Sequence, residues 1–459
     1  PKLEFVASEN LVDAVWPDQP DPPEGIIAIH PVEFAGEPHG DKIKRLAGDL
    51  KASAAVITLP DSIAWLLNIR GSDIARNPVP HAFAILHAAG RVDLFVAPGK
   101  LSAPVRDHLG PQVDLHSPDA LGAALDGLEG SVQVDKATAP LWVSDRLTAK
   151  GIEVIWQQDP CVLPKARKNP TELKGMDDAH RRDAVAMVEF LAWLDHEAPK
   201  GTLTEIAAAK KLETFRAKDN TLRDISFETI SGAGPNGAIV HYRVTEETNR
   251  TVEPGELFLV DSGGQYLDGT TDITRTVATG PVTGDQKDCF TRVLQGMIAI
   301  HRVRWPRGLT GRDLDPLARF PLWSAGRDYD HGTGHGVGAY LSVHEGPQRL
   351  SRQSKVPLEE GMCLSNEPGY YRTGAFGIRI ENLIYVVKAP PLEGADERDM
   401  LAFETLTFVP IDRRLIAIEE LSRAERAWID SYHAECRTRL SGRLSEAAGE
   451  WLAKATAPL

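Results

Sequence analysis

Short runs of apolar residues broken by polar ones dominate the first third of the chain. Ala54-Ala55-Val56-Ile57-Thr58-Leu59 and Val92-Asp93-Leu94-Phe95-Val96-Ala97 read as strands, and Ser62-Ile63-Ala64-Trp65-Leu66-Leu67 reads as a helical segment between them. Strand and helix periods in alternation predict an α/β domain over residues 1–165. Arg70-Gly71-Ser72-Asp73 reads as a structural turn after a helix, and Leu163-Pro164-Lys165-Ala166-Arg167-Lys168 as a polar connector. Beyond it, Asn169-Pro170-Thr171-Glu172 supplies an N-cap, a proline at the first helical position and an acid at the third. A helix therefore starts there, with Met176, Met187, Leu191 and Leu194 on one face as core side chains. Thr202-Leu203-Thr204-Glu205 reads as a second capping box.

The period then changes to that of hairpins. Leu257-Phe258-Leu259-Val260 runs into Asp261, and after an Asp268-Gly269 turn signal a β-branched stretch carries Asp272 in Thr270-Thr271-Asp272-Ile273-Thr274. This predicts a hairpin with Asp261 and Asp272 side by side, provided the register does not slip. Helices are expected from about Asp285 to Val303 and from about Asp313 to Ala325. A second hairpin follows, with Glu367 in Leu364-Ser365-Asn366-Glu367, Glu381 in Phe376-Gly377-Ile378-Arg379-Ile380-Glu381, and Gly369 and Gly374 in the connection. Helices followed by a hairpin, twice over, predict a pseudo-twofold α+β domain across 166–425 with a site between its halves. From Ser422 through Trp451 the chain is charged and helical, a C-terminal extension over 426–459.

Taken singly, each of these acids reads as a solvated turn or strand-end residue. Together with His335 they form a set. Four carboxylates crowd together in the ionised form only if cations neutralise them, and two divalent ions cancel four charges. Oxygen donors with one imidazole suit Mn²⁺, Co²⁺, Zn²⁺ or Mg²⁺ and argue against Cu(I) or an iron–sulfur cluster. The pattern is that of a two-metal hydrolase.

His331-Gly332-Thr333-Gly334-His335-Gly336-Val337-Gly338, followed by Val343-His344-Glu345-Gly346-Pro347, resembles the signature of the Xaa-Pro aminopeptidases of the pita-bread metallopeptidase superfamily. Pro235-Asn236-Gly237-Ala238-Ile239-Val240-His241-Tyr242, Asp261-Ser262-Gly263, Asn366-Glu367-Pro368-Gly369-Tyr370-Tyr371 and Gly377-Ile378-Arg379-Ile380-Glu381-Asn382 match it in the same order. The spacing from His335 to His344 is similar to that of the large, cytosolic type. The resemblance implies a pita-bread catalytic domain preceded by a creatinase-like α/β N-terminal domain. It also places the start of the chain near the second of the two creatinase-like domains of the large type, so that the first is expected to be absent or cut away. It implies Asp261 on one metal, Asp272 and Glu381 bridging both, and His335 with Glu367 completing the second, with Mn²⁺ as the ion and Zn²⁺ or Co²⁺ as alternatives. Glu367 would move the proton of the attacking water. His241, His335, His344, Glu367 and Arg379 would line the substrate, with His344 donating to the oxyanion. His331 would be either catalytic or a packed core histidine, and Arg379 either a substrate gate or the partner of a ligand carboxylate. The substrate is then a peptide with proline at its second position, and the enzyme a homodimer.

Composition narrows the rest. A net charge of −14 opposes binding to nucleic acid or anionic membrane, and no apolar run reaches the length of a membrane span. Cys161, Cys289, Cys363 and Cys436 are scattered without metal or disulfide spacing, and Pro1-Lys2-Leu3-Glu4 carries no signal-peptide pattern; a cytoplasmic location is expected. Cys363 reads as a buried strand residue, and His180, His196, His301 and His433 as structural or exposed. A prolidase, which must also anchor a dipeptide's carboxylate, is the nearest alternative. A creatinase-like amidinohydrolase or a noncatalytic peptide-binding module would lack the metal set.

Overall fold

Alternate residues of the N-terminal strands face opposite ways, and the chain uses both faces. The computed structural model describes Val6 and residues 8–459, so the opening Pro1-Lys2-Leu3-Glu4 lies outside the described residues. A six-stranded mixed sheet runs in the order Val113–His116, Arg91–Phe95, Phe83–His87, Ala54–Ile57, Ser131–Val134, Glu153–Trp156. Its central strand Ala54–Ile57 is buried throughout, antiparallel to one neighbour and parallel to the other. Ile43, Leu46, Ile63 and Leu66 from two helices close one face, and Leu121, Leu125, Val143 and Leu147 from two others close the opposite face.

The expected polar connector is neither solvated nor irregular. Val162–Ala166 is a helix, and Lys165 and Lys168 are buried because both ammonium groups meet Glu345, itself buried, with Lys165 Nζ at 2.6 Å. The capping box at Asn169 forms as its spacing predicts: the Asn169 side chain accepts from the Thr171 and Glu172 N–H groups, and Glu172 Oε2 accepts from Asn169 N–H. The second box is displaced. Thr204, not Thr202, caps the helix Glu205–Arg216, accepting from Ala207 N–H. Glu205 is withdrawn into the protein, where Ala233 N–H, Asn236 Nδ2 and Tyr242 OH donate to it.

Helices Pro170–Glu197 and Glu205–Arg216 precede a three-stranded sheet of Ile230–Ala233, Leu257–Ser262 and Ile273–Ala278. Helices Gly284–Arg302 and Gly311–Trp323 then precede a six-stranded sheet whose inner strands include Asn382–Lys388, Cys363–Asn366 and Gly334–Gly336. This repeats the helices-then-strands order that the sequence predicts and gives the pita-bread domain its two halves. Leu257–Ser262 and Ile273–Ala278 are buried at every residue, so their apolar and hydroxyl side chains serve two interfaces at once. The C-terminal run is two helices, Arg423–Leu440 and Glu446–Ala455, whose Leu440 and Leu452 join the core with Leu191 and Leu194. His180 and His433 are buried and bonded, His301 accepts from Trp428 Nε1, and His196 is exposed. All four cysteines are free and buried. Among the described residues no helix is long and apolar enough to cross a membrane.

Candidate metal centre

Two long hairpins present the carboxylates. In the first, Leu257–Ser262 pairs with Ile273–Ala278, and the same register carries on into Gln265↔Thr270. Asp261 therefore faces Thr274 and Asp272 falls opposite Gly263, so the two acids are offset by two positions on one face instead of standing side by side. Only glycine fits at 263, where a Cβ would lie 1.9 Å from the Thr271 carbonyl oxygen. The turn falls at Leu267-Asp268, because Gly269 is already paired with Tyr266. In the second hairpin, Asn366↔Asn382 and Gly369↔Arg379 share one register, which sets Glu367 opposite Glu381 at the junction between two strand pairs. Gly374, at φ +74, makes the turn, whereas Gly369 lies in the strand Gly369–Arg372.

These strands converge on His335. One ligand atom each from Asp272, His335 and Glu381 lies within 4.8 Å of the other two. His335 Nε2 is 3.4 Å from Asp272 Oδ2 and 3.5 Å from Glu367 Oε1. The ring's Nδ1 donates to the Gly336 carbonyl oxygen at 2.9 Å, which leaves the Nε2 lone pair directed at the acids. Three of the four carboxylates have a holder of their own. Ser365 Oγ donates to Glu367 Oε1 at 3.0 Å, Thr274 Oγ1 to Glu381 Oε2 at 2.8 Å, and Arg379 to Asp261 Oδ2 at 2.7 Å. Arg379 and Glu381 do share a face, as the strand period predicts, and meet at Thr274 Oγ1.

Electrostatically the cluster is short of positive charge even with Arg379 beside it. Burial and then the charges of Asp261 and Glu367 push Asp272 well above the carboxylate range. Burial with Asp272, Asp261 and Glu367 does the same to Glu381, and burial raises Glu367. Asp261 Oδ1 and Glu381 Oε1 are buried with no partner among the described residues. Orphaned carboxylate oxygens beside a free imidazole nitrogen fit divalent cations of the hard-to-borderline kind.

The other predicted residues surround this cluster. The His344 ring stands 4.2 Å, edge to face, from that of His335, and burial lowers its pKa to about 4. His241 is exposed beyond the 3₁₀ turn Gly234–Ala238, near enough to depress both His344 and His331. His331 has both nitrogens engaged: Nδ1 donates to the Gly332 carbonyl oxygen at 2.7 Å, and Nε2 accepts from Tyr371 OH at 2.9 Å. Burial lowers its pKa to about 3. Sequence reasoning missed Tyr371, which bridges His331 to Arg379, and the orienting hydroxyls of Thr274 and Ser365. The hydroxyls carried a signal, since each lies two residues from a predicted ligand, Asp272 or Glu367, on the same strand face.

Fold and donor set together define a metallopeptidase of the pita-bread class. Residues 174–388 match metallopeptidase family M24, residues 18–172 the creatinase/prolidase N-terminal domain, and residues 399–459 the C-terminal region of peptidase M24. The chain is 41% identical to aminopeptidase P2 of Arabidopsis thaliana, over 100% of this chain and 70% of that protein. It is 38% identical to aminopeptidase P1 of Lotus japonicus, over 98% of this chain and 79% of that one. An X-prolyl aminopeptidase of Caenorhabditis elegans, described as a cytosolic enzyme with a di-nuclear active site, is similar in structure at a TM-score of 0.93 and 34% identity, covering 99% of this chain and 76% of that one. The Xaa-Pro dipeptidase of Bacillus anthracis shares the fold at a TM-score of 0.62 and 22% identity, over 82% of this chain and 98% of its own. The chain belongs to the Xaa-Pro aminopeptidase P family, as its glycine–histidine motif implied.

Proposed function

We propose that this protein hydrolyses the bond between an N-terminal residue and a following proline in peptides, using two divalent ions held by Asp261, Asp272, His335, Glu367 and Glu381. The observation that carries the reading is the convergence of Asp272, His335 and Glu381 within 4.8 Å in a chain of this family. Mn²⁺ is the ion we assign, with Zn²⁺ and Co²⁺ as alternatives. When bound, such a pair acidifies water and neutralises charge developing on a carbonyl oxygen.

The chain's own groups do the rest. The scissile bond is a tertiary amide without N–H, and its secondary amine leaves only if protonated. Glu367, steadied at one oxygen by Ser365 Oγ, would take the proton of the attacking water and pass it to the proline nitrogen. His344 is neutral at working pH, and its N–H donates to the oxyanion, worth about 3 kcal/mol by analogy with oxyanion-hole donors. His241, exposed near His344 and His331, contacts the substrate. With both nitrogens committed, His331 positions Tyr371 and through it Arg379, which fixes Asp261.

The N-terminal α/β domain is assigned to 1–165, the catalytic domain to 166–425 and the helical extension to 426–459. A cytoplasmic homodimer is the working state. Exposed Leu317, Phe320 and Trp323 on the helix Gly311–Trp323 supply an apolar row for self-association. Cleavage of Xaa-Pro against Xaa-Pro-Xaa peptides tests the substrate class. Release of the N-terminal residue from tripeptides supports the aminopeptidase, and strict dipeptide use means a prolidase.

A further inference from the structure

The segment between His335 and His344 is anchored in the N-terminal third of the chain. Leu341 is buried within the core formed by Ile43, Leu66, Ile69 and Val79. Arg70, only 4% exposed, donates through Nε to the Tyr340 carbonyl oxygen at 2.5 Å and through a terminal nitrogen to that of Ala339 at 3.1 Å. Its remaining terminal nitrogen is held by the Ala64 and Ile69 carbonyls, so the guanidinium is fixed on both sides. Tyr340 itself has φ +51, a conformation that non-glycine residues hold only under constraint, and its ring lies 5.5 Å from the same guanidinium. Ser342 Oγ donates to Asn77 Oδ1 at 3.2 Å. On the other side of His344, Glu345 is gripped by Lys165 and Lys168. The backbone is thus pinned before and after a histidine whose ring faces His335.

We infer that Arg70 is a positioning residue for His344: the N-terminal domain sets where the oxyanion-side imidazole stands, through the Ala339–Tyr340 carbonyls. This rests on the role given to His344 above. A guanidinium that merely stabilised the domain would not act through that one side chain. A double-mutant cycle separates the two cases.

The assay is tripeptide hydrolysis by the full Mn²⁺-loaded chain as wild type, Arg70→Gln, Arg70→Lys, His344→Ala and the Arg70→Gln/His344→Ala and Arg70→Lys/His344→Ala double variants, with Mn²⁺ affinity measured by calorimetry on each. Arg70→Gln is expected to lower kcat on the order of 10- to 100-fold, as a small displacement of a reacting group does, with Mn²⁺ affinity unchanged. In the His344→Ala background the same substitution is expected to cost no more than about twofold. Arg70→Lys keeps the buried charge but loses the fork, so it carries the test if Arg70→Gln folds poorly; it too should slow wild type and leave His344→Ala unaltered. Equal losses in both backgrounds, or a silent Arg70→Gln, overturn the inference. A fully active His344→Ala overturns the role of His344 in the mechanism, and the route from Arg70 with it.

Discussion

Replacing Arg379 with methionine removes the cation that touches the carboxylate cluster while keeping most of the side-chain volume. In the wild type the guanidinium, 2% exposed, donates to Asp261 Oδ2 at 2.7 Å, to Tyr371 OH at 2.7 Å and to Thr274 Oγ1 at 3.2 Å. At that separation and an effective dielectric of about 20, two unit charges attract by about 6 kcal/mol. Part of this is offset by the cost of burying the guanidinium itself, so the loss expected on breaking the pair is about 3–5 kcal/mol. In metal-free protein this corresponds to a fall in Tm of roughly 6–20 °C for a domain of 150–250 residues. Divalent ions supply the missing positive charge, so the loss in Mn²⁺-loaded protein should be about half as large. A thermodynamic cycle then requires Mn²⁺ to bind the variant more tightly, by ~10-fold or more for a difference of about 2 kcal/mol. Calorimetric unfolding of both forms, with Mn²⁺ titration of each, gives every side of the cycle. An equal loss in the two forms, or a loss below about 1 kcal/mol without metal, would show that the cluster is not short of positive charge.

Tyr371→Phe keeps the ring but cuts the link between His331 and Arg379, and should lower activity roughly 10–100-fold, the range for a partner that orients a ligand; unchanged steady-state kinetics would dismiss the link. Gly377→Ala sets a Cβ 1.7 Å from the Gly237 carbonyl oxygen, so the loop leading to His241 must shift, at about 1–3 kcal/mol; a variant with wild-type Tm and KM contradicts that packing. His433 accepts from Ile411 N–H at Nε2 and must stay neutral in the fold, its pKa lowered by burial and then by Arg413 to about 3. Because the unfolded chain protonates it near its ordinary 6.5, this contribution is whole above that pH and is lost as pH falls toward 3, about 2 kcal/mol by pH 5. His433→Gln should flatten urea-measured stability between pH 6.5 and 5 by that amount; an unaltered slope refutes it.

Local chemistry was legible where it acts over a few residues. The Asn169 capping box, the two hairpins and the helix pairs follow from side chains within one turn of each other, and the meeting of Asp272 and Glu381 with His335 from their places beside the strands. What escaped depends on distant partners. Thr202 looked like a cap only because Glu205 matched the pattern; Glu205 is claimed by Asn236 and Tyr242, 31 and 37 residues on. The basic stretch around Lys165 and Lys168 looked solvated because Glu345, its counterion, lies 180 and 177 residues away. The offset between Asp261 and Asp272 was hidden by the turn, which falls before Gly269 instead of on it. Arg379 was placed on the correct face by strand period alone, yet its choice of Asp261, 118 residues back, belongs to the way the two halves close.

The most direct test is hydrolysis of Arg-Pro-Pro by metal-stripped protein before and after Mn²⁺ is added, with Asp272→Ala as the control. Release of free arginine that appears only with Mn²⁺ and is absent in the control is the predicted result. No release by protein that binds the metal, or equal release by Asp272→Ala, would contradict the account.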